Sequence, residues 1–416
     1  MKKVVVIGGG LSGMTACYQL SKLGNYQIEL VEASDRLGGR VMSVNVEGVE
    51  IDVGGFIVAK WYKYFKQLVK ELDLEGEYRD FKPVYGFWLV GNKYKKFQTN
   101  IIGKGTSFKR IIILILLTIP FAHSYKKRFY TPDGKGETLY KIFRRVFSKR
   151  NLIYRYVDSF FTGFTYQTGN KLSYISAIAF LEMMLLKGGM ESAGNLLPTS
   201  KVVSKLAKAL SNNGVNIHLN TQVDSFKKGS VTLANGQEIT TDIIVVATPH
   251  IKNMPIKTSI SKVETTKYYT IIFEVEEELP LNGGSWAGIF AEPLYKNYEI
   301  SSLVNLSWMT FGKLSDKYLL AYLKSESDEE LEEVKLRMIL MKELKRYFSD
   351  AKIKKIHSIT FFQKNMPIVP VKDIKRLRSL QGKDDIYFTG DYLSFPTMET
   401  AVYNGMKVAG IINSKS

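Results

Sequence analysis

The apolar positions at the start of the chain predict a strand, a helix and a second strand within the first 32 residues. Residues 4–20 read VVVIGGGLSGMTACYQL, where a continuous apolar run precedes a glycine-rich turn and a helix with apolar residues at helical spacing. Residues 27–32, QIELVE, have the length and composition of another buried strand. Since two parallel strands need a crossover helix between them, this order predicts a β-α-β unit.

The same α/β pattern returns twice further along the chain. Residues 215–250 contain short strand patterns around an Asn-Gly hairpin signal and end in the apolar strand 243–247. Near the C-terminus, the strand pattern DIYFTGD is followed by a helix that begins near Met398, with Thr397 as its N-cap.

The segments between these parts have a different pattern. Residues 61–190 predict longer helices with aromatic and basic side chains, and residues 256–379 predict a mixed region with the strand YYTIIFEV and a charged helix. We therefore expect an α/β protein in which a discontinuous Rossmann-like domain carries an inserted α+β substrate domain. The expected boundaries are 1–62, 196–256 and 380–416 for the first domain, 63–195 and 257–379 for the second, and 95–190 for a helical insertion within it.

Three glycines in the first turn, Gly8, Gly10 and Gly13, have the G-x-G-x-x-G spacing of a dinucleotide-binding turn, and Glu32 follows 19 residues later at the end of the next strand. In such a turn the first glycine permits the tight bend and the second lets the backbone approach a pyrophosphate. The third lets the helix pack on the strand. Glu32 would accept hydrogen bonds from ribose hydroxyls. The alternative is a structural glycine turn, and the strand-turn-helix context favours the dinucleotide.

A second motif bears on whether the dinucleotide is NAD or FAD. The stretch EASDRLGGRV sets Arg36 and Arg40 around Gly38 and Gly39, where guanidinium groups and backbone amides can converge on a pyrophosphate. An ordinary NAD site does not need this element. Taken alone, the stretch is better explained as a solvated turn with incidental arginines.

A third motif lies near the C-terminus. Gly390 and Asp391 come just after the last predicted strand and just before the helix that begins near Met398. The positive end of that helix would stabilise an anionic reduced flavin, and Asp391 would bind the ribityl chain. The alternative is a plain strand-turn-helix with a surface aspartate.

Together these motifs stand in the order and spacing of one flavoprotein superfamily. Four stretches carry the resemblance: VVVIGGGLSGMTACYQLSK…IELVEASDRLGGRV, IDVGGF, NTQVDSF…DIIVVATPH and FTGDYL…TMETAVYNG. They resemble the flavin-containing amine oxidase superfamily, and most of all its branch of protoporphyrinogen oxidases and plant-type phytoene desaturases. The resemblance covers nearly the whole chain and implies a glutathione-reductase-like FAD fold. The FAD contacts that it implies are Gly8, Gly10, Leu11, Ser12, Gly13, Glu32, Arg36, Gly38, Gly39, Arg40, Gly54, Gly55, Val223, Gly390, Asp391, Met398, Glu399 and Ala401.

Three departures from the family pattern argue against an amine substrate. Thr400 replaces the small residue that usually follows Glu399, which would crowd the helix start. The lysine that amine oxidases place near the flavin has Tyr269 as its expected equivalent, with Lys267 two residues earlier. A C-terminal aromatic pair that would cage an amine is not evident. The single cysteine, Cys17, lies inside the first predicted helix, so we expect non-covalent FAD.

The candidate substrate pocket is aromatic, and no catalytic base stands out. The four histidines are scattered through the sequence, so we expect no metal site. Each of the aromatic residues near the motifs is either a pocket residue or part of the core. The candidate pocket residues are Phe56, Tyr166, Tyr269, Tyr392 and Phe395.

The charge is concentrated in one segment. The chain has 58 Lys+Arg against 40 Asp+Glu, and residues 104–150 hold twelve basic residues against two acidic ones. They enclose the apolar run 111–121, which as a helix reaches about 17 Å and so is shorter than the roughly 30 Å hydrocarbon core of a bilayer. The run is either a core helix ended by Pro120 or a segment that enters one leaflet while flanking Lys and Arg bind anionic headgroups. We favour the second interpretation, because a core helix normally has a polar face and no polar residue precedes Thr118 within this run. The basic flanks also suit an interfacial anchor.

These observations predict an FAD-dependent oxidase or desaturase that acts by hydride transfer on a lipophilic substrate, such as a tetrapyrrole or an isoprenoid. The electron acceptor would be oxygen or a quinone. The alternatives are a soluble flavin amine oxidase and a non-enzymatic, escort-type carrier of prenyl lipids. No nucleic-acid module is recognised. Because the first strand begins at Val4, we expect a cytoplasmic protein, peripheral on the cytoplasmic face of the membrane.

Overall fold

A computed structural model describes the nucleotide-binding motifs and much of the remaining chain. The predicted pocket residue Tyr166, the apolar run 111–121 and all but four residues of the basic segment 104–150 lie outside the described residues. In the stretches that are described, no helix combines the length and the apolar character needed to cross a membrane. The described residues are 1–80, 85–90, 93–98, 129–132, 193–196, 198–251, 253, 264–279, 286–291, 300–325, 329–362 and 367–415.

The elements follow one another along the chain from a first strand at Lys2 to a last helix that ends at Lys415. Short 3-10 turns lie at Glu75–Glu77 and Asp391–Leu393. The strands are β1 (Lys2–Ile7), β2 (Tyr26–Val31), β3 (Ser43–Val46), β4 (Val49–Asp52), β5 (Val58–Ala59), β6 (Tyr78–Asp80), β7 (Tyr85–Val90), β8 (Lys93–Gln98), β9 (Ala193–Leu196), β10 (Asn216–His218), β11 (Val223–Lys227), β12 (Ser230–Leu233), β13 (Glu238–Thr240), β14 (Ile243–Val246), β15 (Glu264–Thr265), β16 (Lys267–Val275), β17 (Trp286–Ala291), β18 (Ile300–Asn305), β19 (Tyr318–Ser325), β20 (Ile353–Phe362), β21 (Pro367–Ile368) and β22 (Ile386–Phe388). The helices are α1 (Leu11–Ser21), α2 (Tyr64–Glu71), α3 (Ser200–Asn212), α4 (Leu306–Met309), α5 (Glu333–Tyr347), α6 (Val371–Ser379) and α7 (Met398–Lys415).

A five-stranded parallel sheet forms the centre of the nucleotide-binding part, in the order β10-β2-β1-β14-β22. Its strands come from three separated parts of the chain, within residues 2–31, 216–246 and 386–388. The predicted α/β class with a parallel sheet is therefore confirmed. Because the carboxyl ends of parallel strands meet at one edge, the residues that follow β1, β2 and β22 are brought together there.

The central strand β1 is apolar on both faces, as a covered parallel strand should be. Val4 and Val6 lie in the cluster under α1, α3 and α7, whereas Val5 and Ile7 lie in the cluster with β11, β12 and β14. Cys17 of α1 is completely buried, and this burial raises the pKa of its thiol. It is thus a packed side chain in the helix, as expected from the sequence.

A second, seven-stranded sheet has the order β20-β16-β19-β18-β17-β7-β8. On one face of β16, Tyr269 and Ile271 pack with Leu340 of helix α5. On the other face, Tyr268 and Ile272 pack with the hairpin β3–β4, which leads into the predicted flavin contacts. This alternation decides which side chains of β16 face the nucleotide-binding part.

Helices α2 and α6 pack on the nucleotide-binding part, although the sequence boundaries assign them to the substrate domain. Phe65 and Leu68 of α2 join the cluster under α1 and α7, and Leu377 of α6 lies with β22. The apolar pattern of a helix shows which face is buried but not which sheet that face covers. The boundaries placed at 62/63 and 379/380 therefore fall within this packed layer.

Candidate FAD-binding site

The first glycine turn has the geometry of a phosphate site. A Cβ at Gly13 would overlap the carbonyl oxygen of Gly8, so the close crossing of α1 over the turn requires glycine there. Beside Gly10, in contrast, no heavy atom lies within 4 Å of the place a Cβ would occupy. The backbone amides of Leu11 and Ser12 begin α1 next to this space, and no side chain caps the helix. A helix N-terminus that borders open space suits a phosphate group.

Glu32 lies directly after β2 and beside the same turn. Its Oε2 accepts a hydrogen bond from the Gly9 amide at 2.5 Å, and its Oε1 accepts from the amide and the hydroxyl of Ser34 at 2.9 and 2.7 Å. An ionised carboxylate has about four acceptor positions. Three are used, so Glu32 retains one for a ribose hydroxyl.

The loop with the second pair of glycines lies across the first turn. The Gly38 amide donates to the Gly9 carbonyl at 2.8 Å. Gly38 and Gly39 have φ angles of 100° and 56°, which glycine adopts without strain. The Arg36 guanidinium, however, donates to the carbonyls of Leu37 and Gly39 at 3.2 and 2.7 Å. In this structure it closes its own loop, so the expected contact of Arg36 with a pyrophosphate remains a prediction.

An ion pair joins this loop to the C-terminal motif. Arg40 Nη2 lies 2.7 Å from Asp391 Oδ1, and Asp391 is buried. Burial lowers the pKa of Arg40, but Asp391 outweighs it, so the net direction is upward. Gly390 has φ of 147°, and a Cβ there would overlap the ring of Tyr392. Asn404 of α7 donates to the Gly390 carbonyl at 2.8 Å, which fixes this turn against the helix.

A buried carboxylate that was not predicted from the sequence supports the Gly54-Gly55 turn. Asp52 is fully buried and accepts hydrogen bonds from the Ser43 hydroxyl at 2.5 Å and from the amide and hydroxyl of Thr199 at 2.9 and 2.8 Å. Since Thr199 is the N-cap residue of α3, Asp52 fixes that helix start to the hairpin β3–β4. The aspartate two residues before the Gly-Gly pair was the available signal in the sequence.

The same turn touches the start of α7. The Gly55 amide donates to the Arg40 carbonyl at 3.2 Å. A Cβ on Gly55 would lie 3.5 Å from the Met398 side chain, and one on Gly54 would overlap the Arg40 carbonyl. The structure therefore brings Gly54, Gly55, Arg40, Asp391 and Met398 together.

Helix α7 begins at Met398, as predicted. Thr397 acts as the N-cap: its hydroxyl accepts from the Thr400 amide at 3.2 Å. The Thr400 hydroxyl donates to the Phe395 carbonyl at 2.6 Å and is buried within this turn. The expected crowding of the helix start by Thr400 was therefore wrong, because its hydroxyl donates a hydrogen bond within the turn that precedes the helix. Ala401 is half-buried in the first turn of α7.

The side chain of Glu399 is used inside the protein, and the contact with FAD that the resemblance implies for this residue remains a prediction. It is fully buried, and Oε1 accepts from the Lys63 and Tyr64 amides at 2.9 and 3.1 Å and from the Tyr130 hydroxyl at 2.6 Å. Oε2 accepts from the Phe65 amide at 2.8 Å. The carboxylate caps α2 and faces away from solvent. Only the backbone of Glu399 remains available to a ligand at the start of α7.

Two of the proposed pocket aromatics are core residues on other faces. Tyr269 is fully buried under α5, its hydroxyl accepts from the Leu331 amide at 2.6 Å, and its ring stacks on Phe361 with 4.5 Å between centroids. Tyr392 is buried in the cluster below the parallel sheet, and its hydroxyl donates to the Val246 carbonyl at 3.0 Å. Their assignment to a substrate pocket was wrong, because strand alternation and the Gly390 turn direct these rings into the protein.

Phe395 is also a packing residue. It is 1% exposed, and its ring stacks on Phe129 with 5.8 Å between centroids. Its backbone amide donates to the Phe129 carbonyl at 3.3 Å. Phe395 therefore secures the segment 129–132 and does not line an open pocket.

Tyr268, which was not singled out from the sequence, lies on the face of β16 opposite Tyr269 and packs toward the hairpin β3–β4. Its ring stacks on Phe362 with 5.3 Å between centroids and lies 6.0 Å from that of Tyr322. Half-buried Phe56 packs on the same cluster. Tyr268 is also close enough to Arg40 to act on its charge. Adjacent residues of a strand lie on opposite faces, and the sequence does not show which face of β16 packs on the hairpin β3–β4.

The remaining predicted contact, Val223, begins β11 and is buried below the parallel sheet, where it pairs with Leu233. Its backbone contact with adenine remains a prediction.

The other elements of the site form a continuous series. The Gly10 turn lies against Gly38, the adjoining loop reaches Asp391 through Arg40, and the Gly55 turn meets α7.

This arrangement fits FAD. Open space at a helix N-terminus suits the pyrophosphate, and the spare acceptor of Glu32 suits the adenosine ribose. The Arg40–Asp391 pair and the start of α7 lie at the other end, where the resemblance implies the ribityl chain and the ring. The fold and the site thus define a two-part α/β flavoprotein with a discontinuous dinucleotide-binding sheet.

Within that class, the chain belongs to the flavin containing amine oxidoreductase family, whose model matches residues 11–413. A flavin-containing amine oxidase A of Sus scrofa is 45% identical over 76 residues, which are 18% of this chain and 14% of that protein. The chain spans less than a quarter of the length of the curated relatives compared.

Two solved structures have the same fold over almost their whole length. Cyclohexylamine oxidase from Brevibacterium oxydans has a TM-score of 0.74 at 16% identity, covering 100% of this chain and 99% of that one. A fatty acid isomerase from P. acnes that produces CLA has a TM-score of 0.73 at 13% identity, covering 99% and 98%. At such identities the likeness concerns the fold alone.

Proposed function

We propose that the protein is an FAD-dependent oxidoreductase that takes a hydride equivalent from a lipophilic small molecule, such as a tetrapyrrole or an isoprenoid. The observation that supports the substrate class is the aromatic cluster of Tyr268, Phe362 and Tyr322, which is buried against the hairpin leading to Gly54 and Gly55 and would give this side of the site an apolar wall. Aromatic and aliphatic surface suits a flat or polyene substrate. Lys267 is the basic residue nearest in sequence to Tyr268. It lies on the opposite side of β16, which faces α5 and also carries Tyr269.

In this proposal each part of the site has a separate task. Bound FAD supplies the hydride acceptor. The α1 amides and Glu32 would hold the pyrophosphate and the ribose, and the Arg40–Asp391 pair would hold the ribityl end. The N-terminus of α7 would offer a positive partial charge to the reduced flavin. The buried aromatic cluster around Tyr268 would exclude water from this end of the site.

The first test is the absorbance spectrum of the purified protein between 300 and 550 nm, before and after heat denaturation. A flavin spectrum that is released into the supernatant supports bound, non-covalent FAD, and lipid extraction with porphyrinogen and polyene assays then follows. A colourless protein that takes up no added FAD contradicts the proposal and favours the escort-type lipid carrier.

A soluble amine oxidase is the second candidate, because the pig amine oxidase A matches at 45% identity. The discriminating assay is hydrogen peroxide release with a panel of primary amines and polyamines. Turnover of an amine, with none of a lipophilic substrate under the same conditions, would replace the first proposal with this one.

We further propose that oxygen or a quinone is the electron acceptor and that residues 104–150 bind an anionic membrane surface from the cytoplasmic side. The excess of basic residues around the run 111–121 supports the membrane contact. Co-sedimentation with vesicles tests it: binding to vesicles with anionic lipid that weakens with salt supports the contact, and equal binding to neutral vesicles contradicts it. The division into a discontinuous FAD-binding domain and a substrate domain is part of the same proposal.

A further inference from the structure

The Glu399 carboxylate is the point at which three parts of the chain meet. Glu399 is the second residue of helix α7, next to Met398, and its side chain accepts hydrogen bonds from three amides at the start of α2 and from the hydroxyl of Tyr130. Tyr130 belongs to the segment 129–132, which lies between long stretches of the expected substrate domain. A single buried side chain therefore joins the flavin end of the site to the substrate side.

The groups around the Glu399 carboxylate are hydrogen-bond donors that suit a negative charge. Three amide donors from the first turn of a helix stabilise a carboxylate both by hydrogen bonds and through the positive end of that helix. Burial, and then the Glu399 carboxylate itself, raises the pKa of Tyr130, so the tyrosine remains a neutral donor. All four contacts thus act as donors to one charged acceptor.

A second set of contacts fixes the same segment to the residues just before α7. The Tyr130 carbonyl accepts from Arg378 Nη2 and from the Ser394 hydroxyl, both at 2.6 Å. Arg378 also donates to the Leu393 carbonyl at 2.8 Å, and Phe129 stacks on the ring of Phe395. A shift of the segment 129–132 must therefore move the chain between Asp391 and the start of α7.

On this geometry we propose that Glu399 is a positioning residue: it couples the segment 129–132 and helix α2 to the N-terminus of α7, and so sets the position of that helix end against the flavin. The inference rests on the proposed function, because it places the flavin at α7. It assigns Glu399 no direct contact with substrate or flavin. Its effect passes through Met398, which lies against Gly55.

The test compares three variants of the full-length protein loaded with FAD. Glu399→Gln keeps the volume but loses the charge and one acceptor. Tyr130→Phe removes only the hydrogen bond that the segment 129–132 donates to Glu399. Tyr403→Phe is the matched control, because its ring lies 4.6 Å from Tyr130 in the same aromatic cluster and its hydroxyl has no hydrogen bond to Glu399.

The readouts are the FAD dissociation constant and the visible circular dichroism of the bound flavin. We expect the dissociation constant to rise about tenfold for Glu399→Gln and about threefold for Tyr130→Phe, from the lost charge-assisted hydrogen bonds. The dichroism should change in both variants and stay unchanged in Tyr403→Phe. The double variant should lose no more affinity than Glu399→Gln alone, because both changes break one network.

The outcomes separate the inference from the proposed function. If the wild type binds FAD but both variants keep its affinity and dichroism, Glu399 is only a structural residue and the inference is wrong. Lower thermal stability with unchanged flavin properties leads to the same conclusion, as do strictly additive losses in the double variant. If the wild type binds no FAD, the proposed function fails and the inference fails with it.

Discussion

Removal of the Asp52 carboxylate should destabilise the protein and loosen the Gly54-Gly55 turn. In Asp52→Ala, the buried amide of Thr199, the N-cap residue of α3, loses its acceptor. The half-buried Ser43 hydroxyl can turn to water, and the Thr199 hydroxyl keeps the Gly55 carbonyl, 3.1 Å away, as an acceptor. The cost therefore comes mainly from one buried amide and a lost charge-assisted network, and we expect about 3 kcal/mol of unfolding free energy.

The assay is urea unfolding followed by circular dichroism, together with FAD titration of each variant. Asp52→Asn retains an acceptor oxygen for the Thr199 amide, so its loss should be about 1 kcal/mol. The control is Glu50→Ala on the same hairpin, which removes an exposed carboxylate and should change stability by less than about 0.5 kcal/mol. If Asp52→Ala costs no more than Glu50→Ala and binds FAD with wild-type affinity, the reasoning is refuted.

Three further predictions concern the other end of the site, the aromatic face and the response to acid. Gly390→Ala should abolish FAD binding, because φ is 147° and a Cβ would overlap an aromatic ring; FAD titration of a folded variant checks this, and normal binding would contradict it. Both tyrosines are buried, so Tyr268→Leu and Tyr269→Leu should each lower the melting temperature, but only Tyr268→Leu should also raise KM or lower kcat; the reverse kinetic pattern would exchange their roles. The Glu274 carboxylate has its pKa lowered by a hydrogen bond to Lys354, so its stabilising effect is present above the ordinary pKa of 4.5 and is lost as the pH falls through the lowered value. Urea midpoints between pH 7 and pH 3 should therefore fall less steeply in Glu274→Gln than in the wild type, and parallel curves would count against this assignment.

The glycine motifs could be predicted from the sequence because their causes are local. The Gly13 crossing depends on residues within one turn, and the start of α7 depends on the hydroxyl of Thr397 and the amide three residues later. Such short-range rules act before any tertiary contact forms. The order of the α/β segments likewise follows from short apolar runs bounded by turn residues, which are typical of buried strands.

The roles of individual side chains could be predicted less well from the sequence. Tyr268 and Tyr269 are adjacent aromatic residues of one strand, and the sequence does not say that α5 covers the second of them. An acidic residue in the first turn of a helix, such as Glu399, is usually explained by that helix alone. Its partners in α2 lie about 335 positions away in the chain, and no periodicity reports a contact at that distance.

The distances in sequence also bear on how the site forms. Asp52 binds Thr199 across 147 residues, and Arg40 binds Asp391 across 351. Each of these carboxylates is buried, so the protein must hold both partners in place before the charge is stabilised. The Gly55 turn and the Met398 helix end therefore take their final positions only when segments from the whole chain have packed together. A site built in this way depends on the fold as much as on its glycine motif, and changes to side chains that do not touch the flavin, such as that of Glu399, should act on it.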